Sequence, residues 1–264
     1  DGQELRYAQN RDGEKSLSDH VLVNLRHIRS SLEDMGEILT QLKYRVIDLG
    51  DERLTGSHTS NCSRSDLKEI AVMLGNHDSW TDDSFLEKKA AVRARFDLTS
   101  RKFSDAVNAI KASRQLAALV GFETQLTYIS DEQAVFAMGQ WLKHHPEPEQ
   151  ESGPTIISFS NLDREKLRES AELSRKLDEV IEDNLTNEEL SDIEVLFYIG
   201  RDNEFGEYYE EMLEQTVKEH RLAKSRWEGI HHIMCKMNLF EDVIRGCEIG
   251  GRPSLAEKLR ALKR

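Results

Sequence analysis

The residues best suited to chemistry crowd near position 230. His231, His232 and Cys235 fall within one helical turn, His231 and Cys235 share a face at i, i+4, and His220 and Cys247 are further donors. Imidazole and thiolate are the usual zinc ligands, but structural zinc sites are built from two close ligand pairs and only one pair is visible here. No metal and no cofactor is therefore expected. Arg226 and His231 lie five apart on the same expected helix and flank its apolar residues Trp227 and Ile230. A second cluster lies upstream, where Glu204, Glu207, Glu210, Glu211 and Glu214 are interleaved with Phe205, Tyr208 and Tyr209. Carboxylates beside aromatic rings suit a basic partner, which makes Phe205, Tyr208, Tyr209, Glu207 and Glu211 candidate binding residues. The same acids also have ordinary helix-face partners in Lys218, Arg221 and Lys224 through i,i+4 and neighbouring contacts. No G-x-S-x-G, P-loop, Rossmann fingerprint or HExxH occurs, so the common nucleotide-binding and hydrolase mechanisms lack a local signature.

Two short resemblances follow from these residues. Arg226-Trp227-Glu228-Gly229-Ile230-His231 has Arg-x4-His spacing and resembles the ribonuclease motif of the HEPN superfamily. The resemblance implies a metal-independent endoribonuclease acting on RNA from a dimeric cleft. His231 would then be the acid/base in attack of the ribose 2′-hydroxyl on phosphate, with Arg226 stabilising the developing charge. Trp227 departs from the polar residue often found after the motif arginine. Gly50-Asp51 and Gly75-Asn76-His77-Asp78 resemble the GD and GNH[DE] segments of calcineurin-like metallophosphoesterases, which follow strands and hold two metals. This chain has no later GHxH segment to complete such a site.

The elements that must position these residues read as helices. Val21, Leu25, Ile28, Leu32, Met35, Leu39, Leu42, Val46 and Leu49 alternate spacings of four and three, a heptad seam that predicts one long helix packed on a partner helix as in a coiled coil. Ser18 is its expected N-cap and Gly50 its expected stop. A softer seam runs through Tyr209, Leu213, Thr216, His220, Ala223, Trp227, Ile230, Met234 and Met237, with His220 either fixing register or sitting exposed at a bundle edge. Capping-box spacing occurs at Ser130/Gln133, Thr186/Glu189 and Ser191/Glu194. Phe103, Ala106, Val107, Ile110 and Ala117 form one face of a helix stopped by Gly121, and the apolar residues from Leu162 to Ile181 suggest another. Two segments, one from Ser65 to Gly75 and one from Ser191 to Gly200, echo each other as N-cap, apolar helix and glycine stop. Residues 122–129 and 155–159 are the expected short strands. Leu255, Leu259 and Leu262 line one side of a basic C-terminal helix.

Composition agrees with a mainly α protein. The 264 residues carry 38% hydrophobic and 32% charged residues, 15 Gly and 4 Pro, too little punctuation for an all-β sandwich. Residues 144–154 hold three of the prolines and no apolar periodicity, so two helical-bundle units are expected, residues 1–146 and 155–264, each built around one long heptad-patterned helix. Net charge is −13, which opposes generic binding to a phosphate backbone. Residues 151–214 hold 6 Lys+Arg against 19 Asp+Glu, and residues 215–264 hold 11 against 6, so an acidic part can pack on a basic one. Three cysteines without a CxxC fit reduced thiols in a cytoplasmic protein. The opening Asp1-Gly2-Gln3-Glu4 is expected to be a processing boundary, and no apolar run is long enough to span a membrane. The expected function is a helical adaptor or regulatory module that binds a protein partner or forms a homo-oligomer. The HEPN-like nuclease is the alternative.

Overall fold

The computed structural model describes residues 25–145, 164–223 and 225–263. Among the described residues there are twelve α-helices, short 3-10 turns and no strand, so the protein is mainly α. Residues 122–129 form no strand, and residues 155–159 lie outside the described residues, as do Ser18, Val21 and Leu162. The chain divides into two compact units, Asp1–Asp51 and Glu52–Arg264.

The described part of the first unit is helical throughout. Helix α1, Leu25–Leu54, runs past Gly50, so the glycine read as a stop is inside the helix. Nothing lies within 4 Å of a Cβ built there. The helix continues because no tertiary neighbour or left-handed turn exploits the glycine, and the turn comes at Gly56, with φ +72.

The second unit holds two hydrophobic clusters. Around the first stand α2 (Arg64–Leu74), α3 (Asp83–Arg95), α4 (Ser100–Ala112) and α5 (Arg114–Leu119). Ser63 and Asp66 cap α2 reciprocally, two residues before the expected Ser65, and Gly75 ends it at φ +66. That backbone conformation favours glycine. Leu67, Ile70, Leu74, Phe103, Ile110, Leu116 and Val120 pack together from these helices. The helix expected from Phe103 to Gly121 is two helices, because the Ser113 side chain caps α5 by accepting from Leu116 N.

Around the second cluster stand α6 (Asp131–His144), α7 (Arg164–Asn184), α8 (Asn187–Asp202), α9 (Tyr209–Leu222), α10 (Arg226–Met234), α11 (Leu239–Ile249) and α12 (Pro253–Arg260). The capping boxes at Ser130/Gln133 and Thr186/Glu189 are both formed. Ser191 instead lies inside α8, where its Oγ donates to Asn187 O at 2.8 Å. Gly200 is likewise interior: α8 ends at Asn203, which takes φ 55. A Cβ on Gly200 would collide with the carbonyl of Asp242, and one on Gly246 with the carbonyl of Leu196. The two glycines let the backbones of α8 and α11 touch.

Two larger expectations change. The softer seam is not one helix, since it breaks around Ala223, which is extended at φ −61 and ψ 137; α9 carries its residues before the break, α10 carries Trp227, Ile230 and Met234, and Met237 lies beyond α10. The core also continues across the 144–154 segment: Trp141 belongs to the same cluster as Leu177, Leu213 and Phe240, and its Nε1 donates to Met234 O at 2.9 Å. Loop-like composition marks where the chain leaves a core, not whether it returns to the same one. Leu255 and Leu259 of the basic C-terminal helix are buried in that cluster, while Leu262 stays exposed.

Candidate functional site

Helix α1 carries its seam in the open. Leu25, Ile28, Leu32, Met35, Leu39, Leu42, Val46 and Leu49 are between 39% and 75% exposed, and no residue of the helix is buried. At 1.5 Å per residue the stripe is about 36 Å long. Ile38, Tyr44 and Ile47 are exposed beside it. Scattered exposed apolar residues are normal, but a continuous stripe marks an interaction surface or an aggregation liability.

The chemistry near position 230 is organised by α7. His231 Nδ1 lies 2.7 Å from Asp178 Oδ2, the geometry of an N–H donated to a carboxylate, and Trp227 stacks on the ring at 4.7 Å. Burial pushes the Asp178 carboxyl up, against the opposing pull of His231. Cys235 Sγ is 3.4 Å from both ring nitrogens. A sulfur equidistant from the two nitrogens lies along neither lone pair, so the contact is packing rather than a thiol–imidazole hydrogen bond. Burial and the Asp178 charge also push the thiol up, away from the thiolate that nucleophilic catalysis requires.

His231 reaches α7 itself, whereas Arg226 reaches the residue just beyond its end. Arg226 Nη2 donates to the carbonyl of Leu185, seven residues beyond Asp178 and so about 10 Å along the chain's helical path. Arg226 Nε is buried without a hydrogen-bond partner. The guanidinium lines a cleft of about 560 Å³ with Glu182, Asp183, Glu188 and Glu189. That setting is acidic, the opposite of the cationic surface on which a phosphate chain rests. Asp178 escaped the sequence reading although it adjoins Leu177 and precedes Ile181 by three, which puts a carboxylate within a helix's apolar arc.

Of the acidic-aromatic residues, two are turned inward. Tyr209 is fully buried: its hydroxyl donates to Asp192 Oδ1, and the Arg114 guanidinium lies 4.0 Å from its ring centre. Asp192 Oδ2 accepts from the backbone N–H groups of Tyr128 and Ile129 at 2.7 and 2.8 Å. Burial pushes both the Tyr209 phenol and the Asp192 carboxyl up. Glu207 Oε1 accepts from Ser57 Oγ at 2.8 Å and Ser113 Oγ at 2.5 Å, and Oε2 pairs with Arg64 at 3.1 Å. Burial alone would raise this carboxyl; the Ser113 hydroxyl, the Arg64 charge and the Ser57 hydroxyl together hold it below the usual value. Arg64 in turn covers the Phe205 ring at 4.8 Å.

Tyr208 and Glu211 remain on a surface. With Glu194, Tyr198, Met212 and His232 they line an open cleft of about 760 Å³. His220 is not at a bundle edge: its Nε2 lies 2.7 Å from Glu194 Oε2, and both side chains are nearly buried. Gly229 leaves it room, since a Cβ there would approach His220 Nδ1 to 2.9 Å.

The GNHD letters are occupied by turn structure. Asn76 accepts from Asp78 N at 3.0 Å, and His77 Nδ1 lies 3.0 Å from Val120 O with its ring stacked on Phe122 at 3.8 Å. Among the described residues neither this segment nor Gly50-Asp51 follows a strand, and no group of three or more His, Cys, Asp or Glu could hold a metal ion. No described helix is long and apolar enough to cross a membrane. Comparison with protein-family models, curated proteins and solved structures finds no match, so the reading of function rests on the geometry above.

Proposed function

We propose that the chain is a helical adaptor or regulatory module that acts by binding another protein chain through the seam of α1. The observation that carries this reading is the exposure of all eight seam residues from Leu25 to Leu49. A heptad pattern is a pattern for burial. Isolated helices are also marginal in water, because most helical stability comes from packing an apolar face. A partner helix on α1 supplies that packing.

Replacing Leu32 or Leu39 by Lys tests the reading. Both positions are more than half exposed, so each substitution alters the stability of the unbound chain by less than about 0.5 kcal/mol. A leucine packed in the chain's own core would cost about 2–5 kcal/mol when truncated. Light-scattering mass, partner capture and thermal unfolding are read together. The expected result is lost association with an unchanged melting temperature. A melting temperature that falls by ten degrees, with mass and captured partners unchanged, overturns the reading.

A further inference from the structure

We infer that the occupant of the α1 seam is a helix of another protein whose own heptad seam is flanked by carboxylates. This deepens the proposed reading of α1 as a binding surface and rests on it. The spacing assigns Leu25, Leu32, Leu39 and Val46 to a positions and Ile28, Met35, Leu42 and Leu49 to d positions. The e positions are then Arg29, Gly36, Lys43 and Gly50, and the described g positions up to Leu49 are Ser31, Ile38 and Arg45. The acids between Leu25 and Leu49 are Glu33, Asp34, Glu37 and Asp48, and all fall at b, c or f, away from the seam. Glu52, at the next g position, lies past the last seam residue. Between Leu25 and Leu49 the flanks therefore hold three cations and no anion, and Glu52 is the one acid at a flank position of α1.

Flanking e and g charges set partner choice in paired helices. A second copy of the chain answers these cations poorly. In a parallel pair each g residue faces the e residue five positions on, which sets Ile38 against Lys43 and Arg45 against Gly50. An antiparallel pair centred on the seam sets Arg29 against Lys43, like against like. Glu or Asp at the partner's flanks supplies the missing counter-charges in either direction. Arg29 already lies 2.8 Å from Glu33, but both side chains are mostly exposed, and such pairs hold their partners weakly.

The test uses the full chain and two synthetic 28-residue helical peptides with Leu at every a and d position. One carries Glu at every e and g position and the other carries Lys. Fluorescence anisotropy at low and high salt should show the Glu peptide binding about tenfold tighter or better, with the gap narrowing as salt screens the flanks. A chain with Arg29→Glu, Lys43→Glu and Arg45→Glu should reverse the preference; if it does not fold, the comparison of the two peptides on the unmodified chain still decides. Equal affinities, or tighter binding of the Lys peptide, overturn the inference. A stable homodimer that neither peptide dissociates also overturns it while leaving the proposed protein-binding function standing. A monomer that binds neither peptide and is destabilised by Leu39→Lys overturns both.

Discussion

Replacing Glu207 by Ala separates two descriptions of one residue: an exposed binding carboxylate, or a buried joint between the two clusters of the second unit. The Glu207 and Arg64 side chains are 10% and 9% exposed, and the substitution also takes an acceptor from Ser57 and Ser113. Removing one member of a buried pair costs about 3–5 kcal/mol. Arg64 keeps Gln115 at 2.5 Å and the Phe205 ring, and the hydroxyls can turn, so the expected loss is about 2–4 kcal/mol. For a unit of this size that lowers the melting temperature by roughly 5–15 °C. A surface carboxylate would change stability by less than about 0.5 kcal/mol. Far-UV circular dichroism during urea and thermal unfolding measures the difference. Acidification gives a second check. Because the folded carboxyl is held below its ordinary value, its contribution is fully present above the unfolded pKa of about 4.3 and is lost as pH falls through the lower folded value. The stability gap between the native chain and Glu207→Gln should therefore shrink below about pH 4.3. Taking this gap isolates Glu207 from Asp178 and Asp192, whose raised pKa values make the opposite contribution, falling as pH rises. An Ala variant as stable as the native chain, with a gap independent of pH, would refute the buried joint.

Two further outcomes test the packing. Gly200→Ala should cost at least about 2 kcal/mol, because the new methyl meets backbone of α11 that cannot swing aside; Gly36→Ala, with nothing within 4 Å, should instead stabilise by about 0.5–1 kcal/mol, and a neutral Gly200→Ala would contradict the close crossing. Thiol titration of the folded chain should label Cys235 alone, more slowly than free cysteine because its pKa is raised, with Cys62 and Cys247 reacting only after unfolding; three fast thiols would refute the burial of the other two.

Local structure was legible wherever the governing contacts lie within a turn or two. The four-and-three spacing from Leu25 to Leu49 specifies a long helix, Ser130 with Gln133 and Thr186 with Glu189 specify helix starts, and Gly75 and Gly121 specify stops, with φ +66 and +88. The same letters mislead where a distant segment decides. Gly200 looks like a helix stop, yet α11 returns to use its missing side chain. The spacing from Tyr209 to Met237 stays in phase across a break at Ala223, because periodicity is blind to a helix that stops and resumes in register.

Burial was decided by tertiary structure alone. Tyr209 and Glu207 share composition and spacing with Tyr208 and Glu211, but Arg114 and Asp192 enclose Tyr209, and Arg64 and Ser113 enclose Glu207. His231 gains its carboxylate from Asp178, 53 residues away, and Arg226 is held by a carbonyl 41 residues away. In α1 the heptad spacing determined which residues share one apolar face, and only the structure determined that the described chain leaves that face exposed. Propensity and capping act across about four residues, whereas solvent exposure depends on where the rest of the chain returns.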